Sequence, residues 1–166
     1  MVAGVDLEAV LEELRRLRAR VPQLTGALTA GVDGLVVAHD TPGVDPEGLA
    51  ALTAASLGVA VRVADATGNG DFRELLVRGE HGYVATYAAG RTAVLTLLAQ
   101  DRVNVGRLHL EGRRSATRLG ELLDAAEAAA RTAGPAAPAA RTPPARTRTP
   151  RAPRATAADA RAATDS

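Results

Sequence analysis

Cysteine is absent from this 166-residue chain, which removes disulfide scaffolds, thiol nucleophiles, thiolate zinc sites and iron-sulfur clusters together. Lysine is absent too. All 20 basic residues are arginine, so Walker A phosphate loops, pyridoxal-type Schiff bases and other lysine chemistry are excluded. Aromatic residues are scarce: Tyr83, Tyr87 and Phe72 are the whole supply, the interior must be built from Leu, Val and Ala, and no aromatic-lined ligand pocket is expected. The start, MVAGVDLEAV, carries neither the basic segment nor the apolar run of a secretory signal. No run reaches the ~18 to 20 apolar residues that cross a bilayer, so no transmembrane segment and a cytoplasmic protein are expected.

What is present divides the chain in two. From Thr132 onward, GPAAPAARTPPARTRTPRAPRATAADARAATDS holds no Leu, Ile, Val, Met or aromatic residue, and such a segment cannot bury enough apolar surface to offset its ordering entropy. Residues 4–131 are read as one domain and 132–166 as a disordered tail. Six arginines against Asp159 and Asp165 give the tail +4, which leaves the body at −3 of the chain's net +1. Arg141, Arg146, Arg148, Arg151 and Arg154 are the candidate contacts to a weakly held anionic partner, because guanidinium groups pair well with phosphate and carboxylate. No aromatic residue stands among them to stack on bases, and Thr142-Pro143 and Thr149-Pro150 can accept phosphate, which would lower that charge.

Within the body, Asp6 caps a helix whose apolar positions Leu7, Val10, Leu11, Leu14, Leu17 and Val21 follow helical spacing up to Pro22. Glu12, Glu13, Arg15, Arg16 and Arg18 are assigned to its wet face, with the two glutamates in helical salt bridges to Arg15 and Arg16. LTGALTA and LVVAHD follow, joined by Gly31-Val32-Asp33-Gly34, where Asp-Gly signals a hairpin. Asp45 and Pro46 then open a second helix running to about Asp65. After Gly68-Asn69-Gly70, three strand-like runs, DFRELLVR, YVATYA and TAVLTLLA, form a meander, and a last helix spans about 103–131. The order α-β-β-α-β-β-β-α implies an α+β fold with one five-stranded antiparallel sheet and helices packed on it.

The second helix poses the problem. LAALTAASLGVAVRVA has one charge, Arg62, in sixteen positions and no wet face. Leu49, Leu52, Leu57, Val59, Val61 and Val63 occupy a wide arc assigned to the sheet, while Gly48, Ala51, Ala55, Gly58 and Arg62 form a strip of mostly small residues that lets another helix approach closely. A helix apolar nearly all round is normally buried on both sides, and one sheet covers only one. The expectation is a twofold homodimer with this helix against its symmetry mate. Burial of ~300 Å² of apolar surface on each helix would contribute ~10 to 15 kcal/mol before association costs. The competing reading leaves the strip in water. In DFRELLVR, Phe72, Glu74, Leu76 and Arg78 are assigned to one face and Arg73, Leu75 and Val77 to the other, and the strand is placed at a sheet edge open to pairing with its own copy.

The sequences DGLVVA (33–38), the long apolar helix and GNGDFRELLVRGEHGYVATYAAGRTAVLTLLA together resemble the Roadblock/dynein light-chain family in its bacterial branch, over roughly residues 6–123. That resemblance implies a profilin-like sandwich and a homodimer formed through the second helix and third strand. The interface residues would be Gly48, Ala51, Leu52, Ala55, Gly58, Val59, Arg62, Phe72, Glu74, Leu76 and Arg78. It also implies a non-catalytic regulator or scaffold of a small Ras-like GTPase. The last helix departs from the family pattern in its glycines, Gly106, Gly112 and Gly120, and its arginines Arg113 and Arg114, which are read as a solvated face.

Candidate chemistry is thin. His39, His81 and His109 lack a second ligand at helical or strand spacing and read as strand-end or turn residues, so neither a metal nor a cofactor is expected. Ser56 and Ser115 lack the glycine pattern of a nucleophile elbow, and Gly68-Asn69-Gly70 precedes a strand, not the helix start that binds phosphate. The chain is therefore not expected to be an enzyme. A second function class is a small-molecule sensory module, against which stands the scarcity of polar residues in buried-looking positions.

Overall fold

The computed structural model describes residues 4–132. The expected tail and its arginines at 141, 146, 148, 151 and 154 lie outside the described residues. Asp6 caps α1 (Leu7–Arg20), its carboxylate accepting from the amides of Glu8 and Ala9 at 3.1 and 3.2 Å, which satisfies donors the first helical turn leaves free. β1 (Leu24–Gly31) and β2 (Val36–Asp40) form the hairpin, with Gly34 at φ 84° in its turn. Asp45 caps α2 (Pro46–Ala66), accepting from the Gly48 amide at 3.0 Å with Pro46 preset at the helix start. β3 (Glu74–Gly79), β4 (Gly82–Ala89) and β5 (Ala93–Gln100) make the meander, and α3 (Val105–Thr132) closes the domain.

All four strand pairings are antiparallel, in the order β2-β1-β5-β4-β3. Alternation divides the sheet's two sides. Ala27, Ala85, Tyr87, Leu95 and Leu97 join Leu14 and Leu17 of α1 and Leu108 and Leu119 of α3 in the main core. Leu28 and Ala30 point the other way, onto Ala50 of α2, with Val36 and Leu49 packed alongside. α1 and α3 thus share one face of the sheet, and α2 has the other to itself.

The glycines of α3 do not interrupt it. A Cβ on Gly112 would stand 2.5 Å from Cε2 of Tyr87, and one on Gly120 would meet the Gly90 backbone, so these positions let the helix lie against β4 and the β4–β5 turn. Two assignments are corrected. Glu13 is not in a solvent-facing pair: it is buried between α1 and α3, where the Ser115 hydroxyl donates to it at 2.6 Å and Arg20 at 2.9 Å, while Arg118 lies 3.4 Å away. Burial disfavours its charge, but those hydrogen bonds and the charges of Arg20 and Arg118 outweigh it and hold the carboxyl below its ordinary range. Arg20 also sits 2.7 Å from the buried Glu111, and Arg114 3.6 Å from it, while Arg113 and Arg114 are themselves 63% and 67% exposed, on the solvated face expected of them. The interior also holds more polar groups than expected, including a row of threonines in which Thr53 of α2 lies 3.4 Å from Thr96 and Thr96 lies 3.1 Å from Thr86.

At 21 residues, with Glu47, Arg62 and Asp65 its only charges, α2 is long and apolar enough to cross a membrane by length and composition. In this fold it is seated on the sheet through Ala50, Thr53 and Leu57.

Candidate functional site: an uncovered helix beside a sheet edge

The side of α2 that meets the sheet is its small side. Ala50 and Thr53 are buried with Leu57, and the approach is close: a Cβ on Gly34 of the hairpin turn would lie 3.4 Å from Cβ of Ala54. Leu52, Val59 and Val63, assigned from the sequence to the sheet, instead point outward and are 68%, 64% and 55% exposed. The reason is spacing. Aliphatic residues ring this helix, so close contact with the sheet selects Ala50 and Thr53, and the bulkier residues on the far side are left out.

Of the expected interface positions, Ala51, Leu52, Ala55, Gly58, Val59 and Arg62 are all exposed along α2, and Gly48 is half-buried near its start. A Cβ added at Gly58 would meet nothing within 4 Å. Val63 belongs to the same outward surface; sequence reasoning misses it because its apolar side chain is assigned to the core.

β3 ends the sheet, and among the described residues no strand pairs with its outer edge. Its expected row is split. Leu76 pairs in register with Ala85 of the main core, and Glu74 and Arg78 lie on the same side. Phe72 precedes the strand and does not continue that row: it lines a groove of about 650 Å³ with Val59 and Val63 of α2 and Leu75 of β3. Val77, on the α2 side of the strand, is 50% exposed. The outward surface of α2, the Phe72 groove and Val77 all lie on the side of the sheet where α2 is the only helix among the described residues, next to the open edge.

Glu74 ties the edge strand to α3. It accepts two hydrogen bonds from Arg113, both 2.7 Å, and its Oε1 lies 3.5 Å from Nδ1 of His109. The Arg113 hydrogen bonds hold the Glu74 carboxyl below its ordinary range despite partial burial. His109 is a helix residue, not a strand-end or turn residue, and its Nδ1 is 3.1 Å from the buried Tyr87 hydroxyl, whose ionisation burial suppresses. Spatial neighbours invisible in the sequence spacing thus surround it. His39 stands in β2 and His81 in the β3–β4 turn. No group of three or more His, Asp or Glu side chains among the described residues is placed to hold a metal. Ser115 is bound to Glu13, and the hydroxyl of Ser56 donates to the Leu52 carbonyl at 2.8 Å. An aliphatic helix face beside an open strand edge offers contact area and backbone hydrogen-bonding groups, which suits protein association and not bond-making chemistry.

Comparison with known proteins gives the same picture. The model of the Roadblock/LC7 domain matches residues 10–99, from α1 to β5. An uncharacterised protein of Methanocaldococcus jannaschii is 32% identical over 114 residues, 68% of this chain and 96% of its own length. Among solved structures, one described as MglB with tetrameric arrangement superposes with a TM-score of 0.68 at 26% identity, over 72% of this chain and 91% of its own. The gliding protein MglB of Thermus thermophilus superposes at 0.67 with 25% identity over 72% and 91%. A Roadblock/LC7 domain from Streptomyces avermitilis superposes at 0.63 with 25% identity over 68% and 96%.

Proposed function

From the premise that this chain belongs to the Roadblock/LC7 domain family, we propose that it is a non-catalytic homodimer that regulates or scaffolds a small Ras-like GTPase. A regulatory role holds at the level of the family; the partner and the dimer are our reading. The observation that carries it is the outward side of α2, where Leu52, Val59 and Val63 stand exposed beside the small residues Ala51, Ala55 and Gly58. A second copy related by a twofold axis would cover this surface with its equal, and β3 edges running past one another would extend the sheet across both protomers. The neighbour solved in a tetrameric arrangement supports self-association as the mode of action.

A GTPase would then meet a surface composed by both protomers. The expected contribution of this protein is to hold or reshape its partner, since the described residues offer no metal cluster and the arginines best placed on α3, Arg113, Arg114 and Arg118, are each engaged with a glutamate. The test mixes the full chain with each small Ras-like GTPase of the same organism, loaded with GDP or with a non-hydrolysable GTP analogue. Co-elution in at least one nucleotide state, at a mass containing two copies of this chain, is the expected result. A GTPase that elutes alone in both states would remove the proposal.

A further inference from the structure

A second apolar depression lies at one end of the sheet, with most of its floor on the face opposite α2. At the end of the sheet formed by the β1–β2 turn and the start of β5, a groove of about 580 Å³ opens between the beginning of α1 and the later turns of α3. Its floor is aliphatic: Val37 and Leu123 belong to or pack on the main core, and Val5 lies against them. Its lip is formed by exposed large residues, Leu7, Val32 and Leu35, the last 60% exposed. Two carboxylates stand in the lining, Asp33 on the hairpin turn and Glu127 on α3, and no arginine lines it.

Those carboxylates are held but not neutralised. Asp33 Oδ1 accepts from the Leu35 amide at 3.1 Å and Glu127 Oε2 lies 3.4 Å from the Thr92 hydroxyl, while Arg131 donates to the Glu127 backbone carbonyl at 3.4 Å and not to its carboxylate. Neither forms an ion pair among the described residues, although ten such contacts occur elsewhere in the domain. An apolar floor with acidic groups at the rim repels nucleotides, fatty acids and anionic lipid headgroups. It favours a branched aliphatic side chain that carries a cation next to it. The exposed lip residues widen the apolar contact beyond the groove itself, to a scale that a peptide segment covers better than a metabolite does.

We propose that this groove is a docking site for a partner-protein segment in which a leucine-type side chain is followed by arginine or lysine. The aliphatic side chain enters over Val37 and Leu123, and the cation bridges Asp33 and Glu127. The aliphatic floor at Val37 and Leu123 belongs to the main core on the other face of the sheet from α2, so the site does not need a second copy.

The test uses the isotopically labelled full chain and the capped pentapeptide Ala-Leu-Arg-Leu-Ala, with Ala-Leu-Glu-Leu-Ala and Ala-Ser-Arg-Ser-Ala as its charge-reversed and polar counterparts. Titration of the first peptide to millimolar concentration is expected to move the amide resonances of Asp33, Leu35, Thr92 and Leu123 selectively. The other two peptides, and the Asp33→Asn/Glu127→Gln double variant, which retains both intramolecular acceptors, are each expected to bind about fivefold more weakly or worse. Equal binding of the arginine and glutamate peptides, shifts centred elsewhere, or no shift at millimolar peptide would overturn the proposal. Repeating the titration on Val59→Asp separates the two surfaces: the groove should bind unchanged whether or not that variant remains dimeric.

Discussion

Replacing Val59 with aspartate separates the protomer's own stability from the association proposed for it. Val59 is 64% exposed on α2 and makes no part of either core cluster. In an isolated protomer the change is an exposed helix substitution between residues of similar helix propensity, worth about 0.5 kcal/mol or less. In a twofold contact it counts twice. Each protomer loses the burial of most of a valine side chain, about 1 to 2 kcal/mol. Each also places a carboxylate at the contact, where Arg62 one turn away offsets part of its desolvation cost. The lost burial alone, counted twice, totals about 2 to 4 kcal/mol and raises the dimer dissociation constant about thirtyfold to a thousandfold, and the carboxylates add to that. Sedimentation velocity over a concentration series, with circular dichroism on the same samples, reads both effects. The expected pair is a wild type at twice the protomer mass and a Val59→Asp chain at the protomer mass with an unchanged far-UV spectrum. A variant that still sediments like the wild type refutes the placement of this face at an interface. A variant that unfolds refutes the claim that the protomer core is complete without it.

Gly112→Ala should destabilise the domain by about 1 to 3 kcal/mol in urea unfolding, because its Cβ would stand 2.5 Å from the buried Tyr87 ring and the helix must move off β4. Glu13→Gln should lower stability at neutral pH by about 1 to 3 kcal/mol, since the buried carboxylate is lost as an acceptor for Ser115, Arg20 and Arg118 while Arg20 keeps Glu111. The wild type should lose stability on acidification, because the folded-state carboxyl of Glu13 lies below its ordinary range: its contribution is present above an unfolded value of about 4.3 and disappears as pH falls through the lower folded value. Urea midpoints from pH 7 to pH 3 should therefore fall more steeply for wild type than for Glu13→Gln, and parallel curves would contradict that origin. Truncation after Gly134 should leave the thermal midpoint within error while removing any salt-dependent binding to heparin or anionic vesicles, as expected if the basic tail supplies the anionic contacts.

The framework was legible because it is written in strong local signals. Asp6 and Asp45-Pro46 mark helix starts by chemistry that acts within one turn, and Asp33-Gly34 marks the hairpin by backbone conformation. The eight elements in their order follow from these. What was illegible depends on contacts between elements. Glu13 looks like a surface glutamate by sequence spacing, and only the docking of α3, with Ser115 and Arg118, makes its position an interior one. The orientation of α2 could not be read because its aliphatic residues ring the axis. The closeness of the hairpin turn at Gly34 then selects Ala50 and Thr53 for the inner side. Alternation places Phe72 on a strand row, but the strand begins at Glu74 and alternation does not hold before it. The His109 neighbourhood joins residues 74, 87, 109 and 113, which no sequence spacing connects.

The absence of cysteine supplies the most direct test of the central claim, that the outward side of α2 packs on a second copy of itself. Single cysteines placed at Ala51, Ala55, Gly58 and Arg62, with one at Arg102 as control, report proximity to the symmetry mate, since a disulfide needs Cβ atoms about 4 Å apart. Under mild oxidation the α2 positions, peaking at those nearest the twofold axis, should yield a reducible species of twice the chain mass on a denaturing gel while Arg102→Cys runs at the single-chain mass. Cross-linking along α2 no greater than at position 102 would mean that this face meets something other than its own copy.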